Sequence, residues 1–113
     1  MNPGAIGYLR QDVSGSRRQW DEARIRALAA RLGYDLRRIA VFGPHTDRPV
    51  HRLRVLVANL GVDAVIVPGL DHFENGELPG DLVERADVVT VSPEQTFARW
   101  LIPPDTPADM GSR

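Results

Sequence analysis

Residues 62 to 67, VDAVIV, form a nearly unbroken β-branched run, and no other feature of the chain constrains the fold as much. A strand with one face in water alternates apolar and polar residues. One that is apolar throughout belongs at the centre of a parallel sheet, covered by helices on both faces. Parallel strands in turn need crossover connections, usually helices. The flanking sequence should therefore alternate strand and helix.

It does so. Ala5 to Arg10 reads as a short strand, followed by the turn-forming run DVSGS. From Arg17 to Leu32 the apolar positions Trp20, Ile25, Leu28 and Leu32 recur near helical spacing, and Gly33 is placed to end that helix. Asp35 to Phe42 is a second strand, stopped by Gly43 and Pro44. Asp47 as N-cap and Pro49 in the first turn open a second helix, with an apolar stripe of Val50, Leu53, Leu56, Val57 and Leu60.

Beyond the central strand, Leu82 to Ala86 reads as a short helix and Val88 to Val91 as a fourth strand. Pro93 to Leu101 reads as a last helix carrying Phe97 and Trp100. Trp20 and Trp100 are expected in helix packing rather than as base-stacking platforms, with Trp100 also a candidate interface residue. The whole predicts one α/β domain over residues 4–102, with a mainly parallel sheet of four to five strands and a disordered, proline-rich tail at 103–113.

Composition narrows the function. A length of 113 residues suits one core, and 42% hydrophobic with 26% charged residues is ordinary globular composition. A formal net charge of -1 gives no global pull toward DNA or anionic membranes, so a DNA contact is expected to be weak and to need a local patch. Cysteine is absent, and His45, His51 and His72 lack the spacing of a metal triad, so neither metal nor cofactor is expected. No apolar run approaches the roughly 20 residues that cross a bilayer, and MNPGAIGY lacks signal-peptide character. A cytoplasmic protein with no membrane association is expected. All 14 basic residues are arginine, read first as codon bias and second as a surface of guanidinium forks suited to phosphate.

In doubly wound sheets ligands bind in the crevice outside the carboxyl ends of the strands. The loops to examine are therefore 11–16, 43–49 and 68–76. The first strand ends in Tyr8, Leu9, Arg10, Gln11, Asp12; the second loop reads Gly43, Pro44, His45, Thr46, Asp47, Arg48; the third reads Leu70, Asp71, His72, Phe73, Glu74, Asn75. In order and spacing these resemble the three signatures of the catalytic domain of serine recombinases, the resolvase and invertase family, over residues 5 to 91. The resemblance implies a three-layer, flavodoxin-like α/β/α fold. It also implies a serine that attacks a DNA phosphodiester, with arginines holding the phosphate. Arg10 and Arg48 match two of those arginines, and Asp71 matches the family aspartate.

The departures are chemical. Asp12 stands where the family has its nucleophilic serine, and an aspartate there would repel phosphate and give an unstable mixed anhydride. His72 and Asn75 replace two further arginines, and Glu74 and Glu77 add negative charge. Ser14 and Ser16 are expected to be turn or cap residues rather than a displaced nucleophile. Arg48 and Asp71 are expected to form a structural salt bridge. No catalytic residue is assigned. Arg10, Asp12, Ser14, Ser16, Arg48, Asp71 and His72 are the candidates for binding an anion or a partner.

The expectation is a catalytically inactive resolvase-like domain that serves as an interaction or regulatory module, with a protein partner or as a homo-oligomer. The alternative is an enzyme: a divergent recombinase, or a metal-dependent phosphoesterase using Asp12 and Asp71 with a divalent cation on DNA or a phosphate ester. A third arrangement places an anion at the VSGS loop beside Arg10, Arg17 and Arg48.

Overall fold

The computed structural model describes residues 2–99. The predicted tail, residue Trp100 and the end of the predicted last helix lie outside them.

Five strands form one sheet: β1 (Gly4–Arg10), β2 (Asp35–Phe42), β3 (Ala64–Val67), β4 (Asp87–Thr90) and β5 (Gln95–Phe97). Their spatial order is β2-β1-β3-β4-β5. The first four are parallel and β5 runs antiparallel to β4. The run predicted to be central is β3, all four residues of which are buried between β1 and β4.

The helices are α1 (Gln11–Ser14), α2 (Arg18–Leu32), α3 (Pro49–Leu60) and α4 (Gly80–Val83). Two apolar clusters, one on each face of the sheet, make this a three-layer α/β domain. Ala5, Leu9, Ala64 and Ile66 pack on Ile25, Leu28 and Ala29 of α2. Ile6, Tyr8, Val65 and Val67 pack on Leu53 and Val57 of α3 and on Leu82 and Val83 of α4. Successive residues of β1 thus serve opposite cores, as the two-residue period of a strand requires. Gly7 faces α2: a Cβ there would lie 2.9 Å from Ile25 Cγ2 and 2.9 Å from Ile39 Cγ1, so its bare backbone lets the helix sit down on the sheet.

Four expectations need correction. Residues 11–16 are not an open loop but the single-turn α1 running into a 3₁₀ turn, Gly15–Arg17, redirected at Gly15 with φ 55°. Asp47 does not cap α3. Arg48 holds the N-cap position in a left-handed conformation, φ 50° and ψ 59°, and no side chain caps the helix. Instead Arg52 Nε donates to the Asp47 carbonyl at 2.7 Å.

Over the described part of the predicted last helix, residues 93–99, the chain turns and forms β5. Phe97, Thr96 and Gln95 pair with Val88, Val89 and Thr90, and the Thr90 hydroxyl donates to the Pro93 carbonyl at 2.6 Å to close the turn. An open ladder on β4 satisfies these backbone groups, and Thr and Phe suit a strand, so tertiary pairing overrides the helical pattern. Trp20, finally, is not in the core: it is 50% exposed on α2.

No helix among the described residues is long and apolar enough to cross a membrane.

Candidate functional site

The strand order reverses between β1 and β3, and the residues that follow those strands meet at this switch point. His72 sits at its centre, buried to 3% exposure in the 3₁₀ turn Leu70–His72. Its Nδ1 accepts the Arg10 backbone N–H at 2.9 Å, so the neutral ring carries its proton on Nε2. Burial holds the His72 pKa below its ordinary value; Asp71 and Asp21 oppose that shift and Arg10 adds to it. The Tyr8 hydroxyl donates to the His72 carbonyl at 3.0 Å. Tyr8 also stacks on Phe73 and meets Phe42 edge-on, each with centroids 5.4 Å apart. Burial pushes the Tyr8 pKa up to about 12, against the pull of Arg10. Tyr8 is thus a fixed, neutral donor that ties β1 to the loop after β3.

Two crevices open on either side of His72. On the α3 side a cleft of about 540 Å³ is bordered by Arg10, Arg48, His51, Arg54, His72 and Glu74. On the α2 side a smaller crevice of about 240 Å³ is bordered by Ser14, Arg17, Trp20, Asp21, Arg24 and Asp71. The candidate residues are therefore divided. Arg10, Arg48 and His72 come together in the larger cleft. Ser14, Arg17 and Asp71 lie in the smaller one, so the anion site imagined from Arg10, Arg17 and Arg48 together does not assemble. Ser16 is exposed and borders neither crevice. Arg48 and Asp71 make no salt bridge; among the described residues neither has an ion-pair partner.

Asp12 is engaged. Its carboxylate accepts from Arg10 Nε at 3.2 Å and from Nη2 at 2.7 Å, a bidentate pair. An internal anion thus occupies the Arg10 guanidinium fork. Ser14 is equally committed: its hydroxyl is buried and donates to Asp21 Oδ2 at 2.6 Å. Asp21 has an 8% exposed side chain, and its nearest cation is Arg17 at 3.9 Å. The bond ties the start of α2 to the turn after β1 and satisfies a buried carboxylate.

The sequence reading missed Arg54 and His51, which border the larger cleft. The buried Nε of Arg54 has no hydrogen-bond partner among the described residues. Their signal lay in the helix pattern: once the apolar stripe of α3 faces the core, His51, Arg54 and Val55 must face outward or along its rim. Trp20 was also misjudged. The guanidiniums of Arg17 and Arg24 lie 4.8 and 4.6 Å from its ring centroid, a cation–π cluster that holds the indole at the surface. Among the described residues no group of three or more His, Asp and Glu side chains is arranged to hold a metal ion.

No protein-family model matches the chain, and comparison with curated proteins gives no match. The functional reading rests on the site.

Proposed function

We propose that this chain is a resolvase-like domain that has given up phosphoryl transfer and works in the cytoplasm as a protein-interaction or regulatory module, with a protein partner or a second copy. The observation that carries this reading is the Arg10–Asp12 pair. Asp12 removes the nucleophile and also occupies the guanidinium that would hold the phosphate. His72, a neutral donor in place of an arginine, weakens the cleft for a dianion further. The nearest alternative hydroxyl, Ser14, is held by Asp21.

The test is covalent chemistry on supercoiled plasmid DNA. The native chain is expected to give neither cleavage nor a DNA–protein adduct on a denaturing gel, with or without magnesium. Asp12→Ser is expected to stay inactive, because the arginines replaced by His72 and Asn75 remain missing. An adduct with the native chain would overturn the reading in favour of a divergent recombinase. Magnesium-dependent cleavage without an adduct would overturn it in favour of a phosphoesterase.

A further inference from the structure

The arginines of this chain fall into two populations. Arg10, Arg17, Arg18, Arg26, Arg31, Arg37 and Arg99 each lie within ion-pair distance of a carboxylate, and Arg24 stacks on Trp20. Arg38, Arg48, Arg52, Arg54 and Arg85 have no carboxylate partner among the described residues; Arg38 stands on β2, and the other four lie on or beside α3. A chain of net charge -1 therefore gathers four arginines without ion pairs around α3, with Asp47 the one carboxylate lining a groove beside Arg48 and Arg52.

That face also exposes apolar side chains, Val55 and Ala58. Val55 is 43% exposed at the middle of α3, and His51 and Ala58 lie one turn before and after it. A groove runs along each side. One, of about 470 Å³, is lined by Val55, Val57, Ala58 and Val62 together with Arg54 and Arg85. The other, also about 470 Å³, is lined by Phe42, Val55 and Leu56 with Arg48, Arg52 and His51, and by a single carboxylate, Asp47. Grooves lined by apolar side chains and more arginines than carboxylates select the occupant. Nucleic acid would satisfy the arginines but put no apolar group in the grooves. An amphipathic helix with aliphatic anchors at helical spacing and carboxylates flanking them satisfies both.

We propose that the outer face of α3 is a docking surface for an acidic amphipathic helix of a partner protein, whose aliphatic side chains enter the two grooves around Val55 and whose carboxylates meet Arg48, Arg52, Arg54 and Arg85. Arg54 borders both one groove and the larger cleft, and its buried Nε has no hydrogen-bond partner among the described residues. The proposal rests on the reading of the domain as an interaction module and names its partner class and surface.

The experiment titrates the full chain into a fluorescein-labelled synthetic helix of about 18 residues, five turns, with leucine at i, i+3 and i+7 spacing and glutamate elsewhere. A second peptide carries glutamine for every glutamate. The glutamate peptide is expected to bind roughly tenfold tighter than the glutamine one, and to weaken as salt rises. Val55→Asp and the pair Arg52→Glu with Arg85→Glu are each expected to weaken binding roughly tenfold, with the far-ultraviolet circular dichroism unchanged. Arg26→Ala, on α2 across the sheet, should leave it unaltered.

Equal affinity for both peptides, no binding by the folded native chain, an equal loss in Arg26→Ala, or displacement of the peptide by a duplex oligonucleotide of the same charge would each overturn the docking surface. Peptide failure without any DNA adduct refutes only this surface. An adduct refutes the module reading whatever the peptide does.

Discussion

The Arg10 guanidinium makes a two-pronged hydrogen bond to Asp12, with Nε–Oδ1 at 3.2 Å and Nη2–Oδ2 at 2.7 Å, so an internal carboxylate already occupies its fork. The side chains are 25% and 34% exposed, and a pair in such surroundings contributes about 1 kcal/mol or less to stability. Its main consequence is therefore electrostatic. Asp12→Ala should leave the melting temperature within a few degrees of the native chain, yet tighten inorganic phosphate binding several-fold by freeing Arg10 beside Arg48. Calorimetric titration with phosphate checks this. Unchanged phosphate affinity would mean that Arg10 does not face the cleft as a free donor.

Ser14 and Asp21 give the opposite pattern, small in charge effect and large in stability. The Ser14 hydroxyl is a close partner of a carboxylate whose side chain is only 8% exposed. Ser14→Ala strands that carboxylate at a cost of about 1–3 kcal/mol. In a domain of this size each kcal/mol moves the melting temperature by roughly 4–8 °C. Adding Asp21→Asn should recover part of the loss, because the amide tolerates burial without the hydroxyl better than the anion does. A melting temperature unmoved by Ser14→Ala would show that the hydroxyl does not hold the buried carboxylate.

Gly7 tests the packing of α2 on the sheet. An added methyl would meet Ile25 Cγ2 and Ile39 Cγ1 at 2.9 Å, inside van der Waals contact, and both neighbours are branched side chains on regular elements. Gly7→Ala is expected to destabilise the fold by about 1–3 kcal/mol, seen as a lower urea midpoint at unchanged slope. A midpoint equal to the native value would place α2 farther from β1 than the structure does.

The layers were legible in the sequence because their signals are local and repeated. The β-branched run of β3 and the stripes of α2 and α3 each specify a buried face, and together they specify a covered parallel sheet. The last segment was not legible: Phe97 in a helical pattern looks like a packing residue, and only the open edge of β4 decides that it pairs as a strand. The site was legible by position and not by partnership. Arg10, Arg48 and His72 do converge, whereas the bond between Arg10 and Asp12, two residues apart at the end of a strand, depends on the turn into α1. Nothing in the spacing of Arg48 and Asp71 tells that the switch point divides them between two crevices.

His72 links this site to pH. Its Nδ1 accepts a backbone N–H that cannot be withdrawn, and burial disfavours the imidazolium, so its folded pKa lies below the ordinary 6.5. The stability contributed by the neutral ring is full above about pH 6.5. Below that the unfolded chain takes up a proton that the folded chain refuses, and the contribution is lost as pH falls through the folded pKa. His72→Asn places an amide oxygen near the position of Nδ1 and does not titrate. The native chain should therefore lose melting temperature more steeply than His72→Asn between pH 6.5 and 5, while the two run parallel from pH 7 to 8. Parallel curves over the whole range would show that His72 does not carry the acid sensitivity of the switch point.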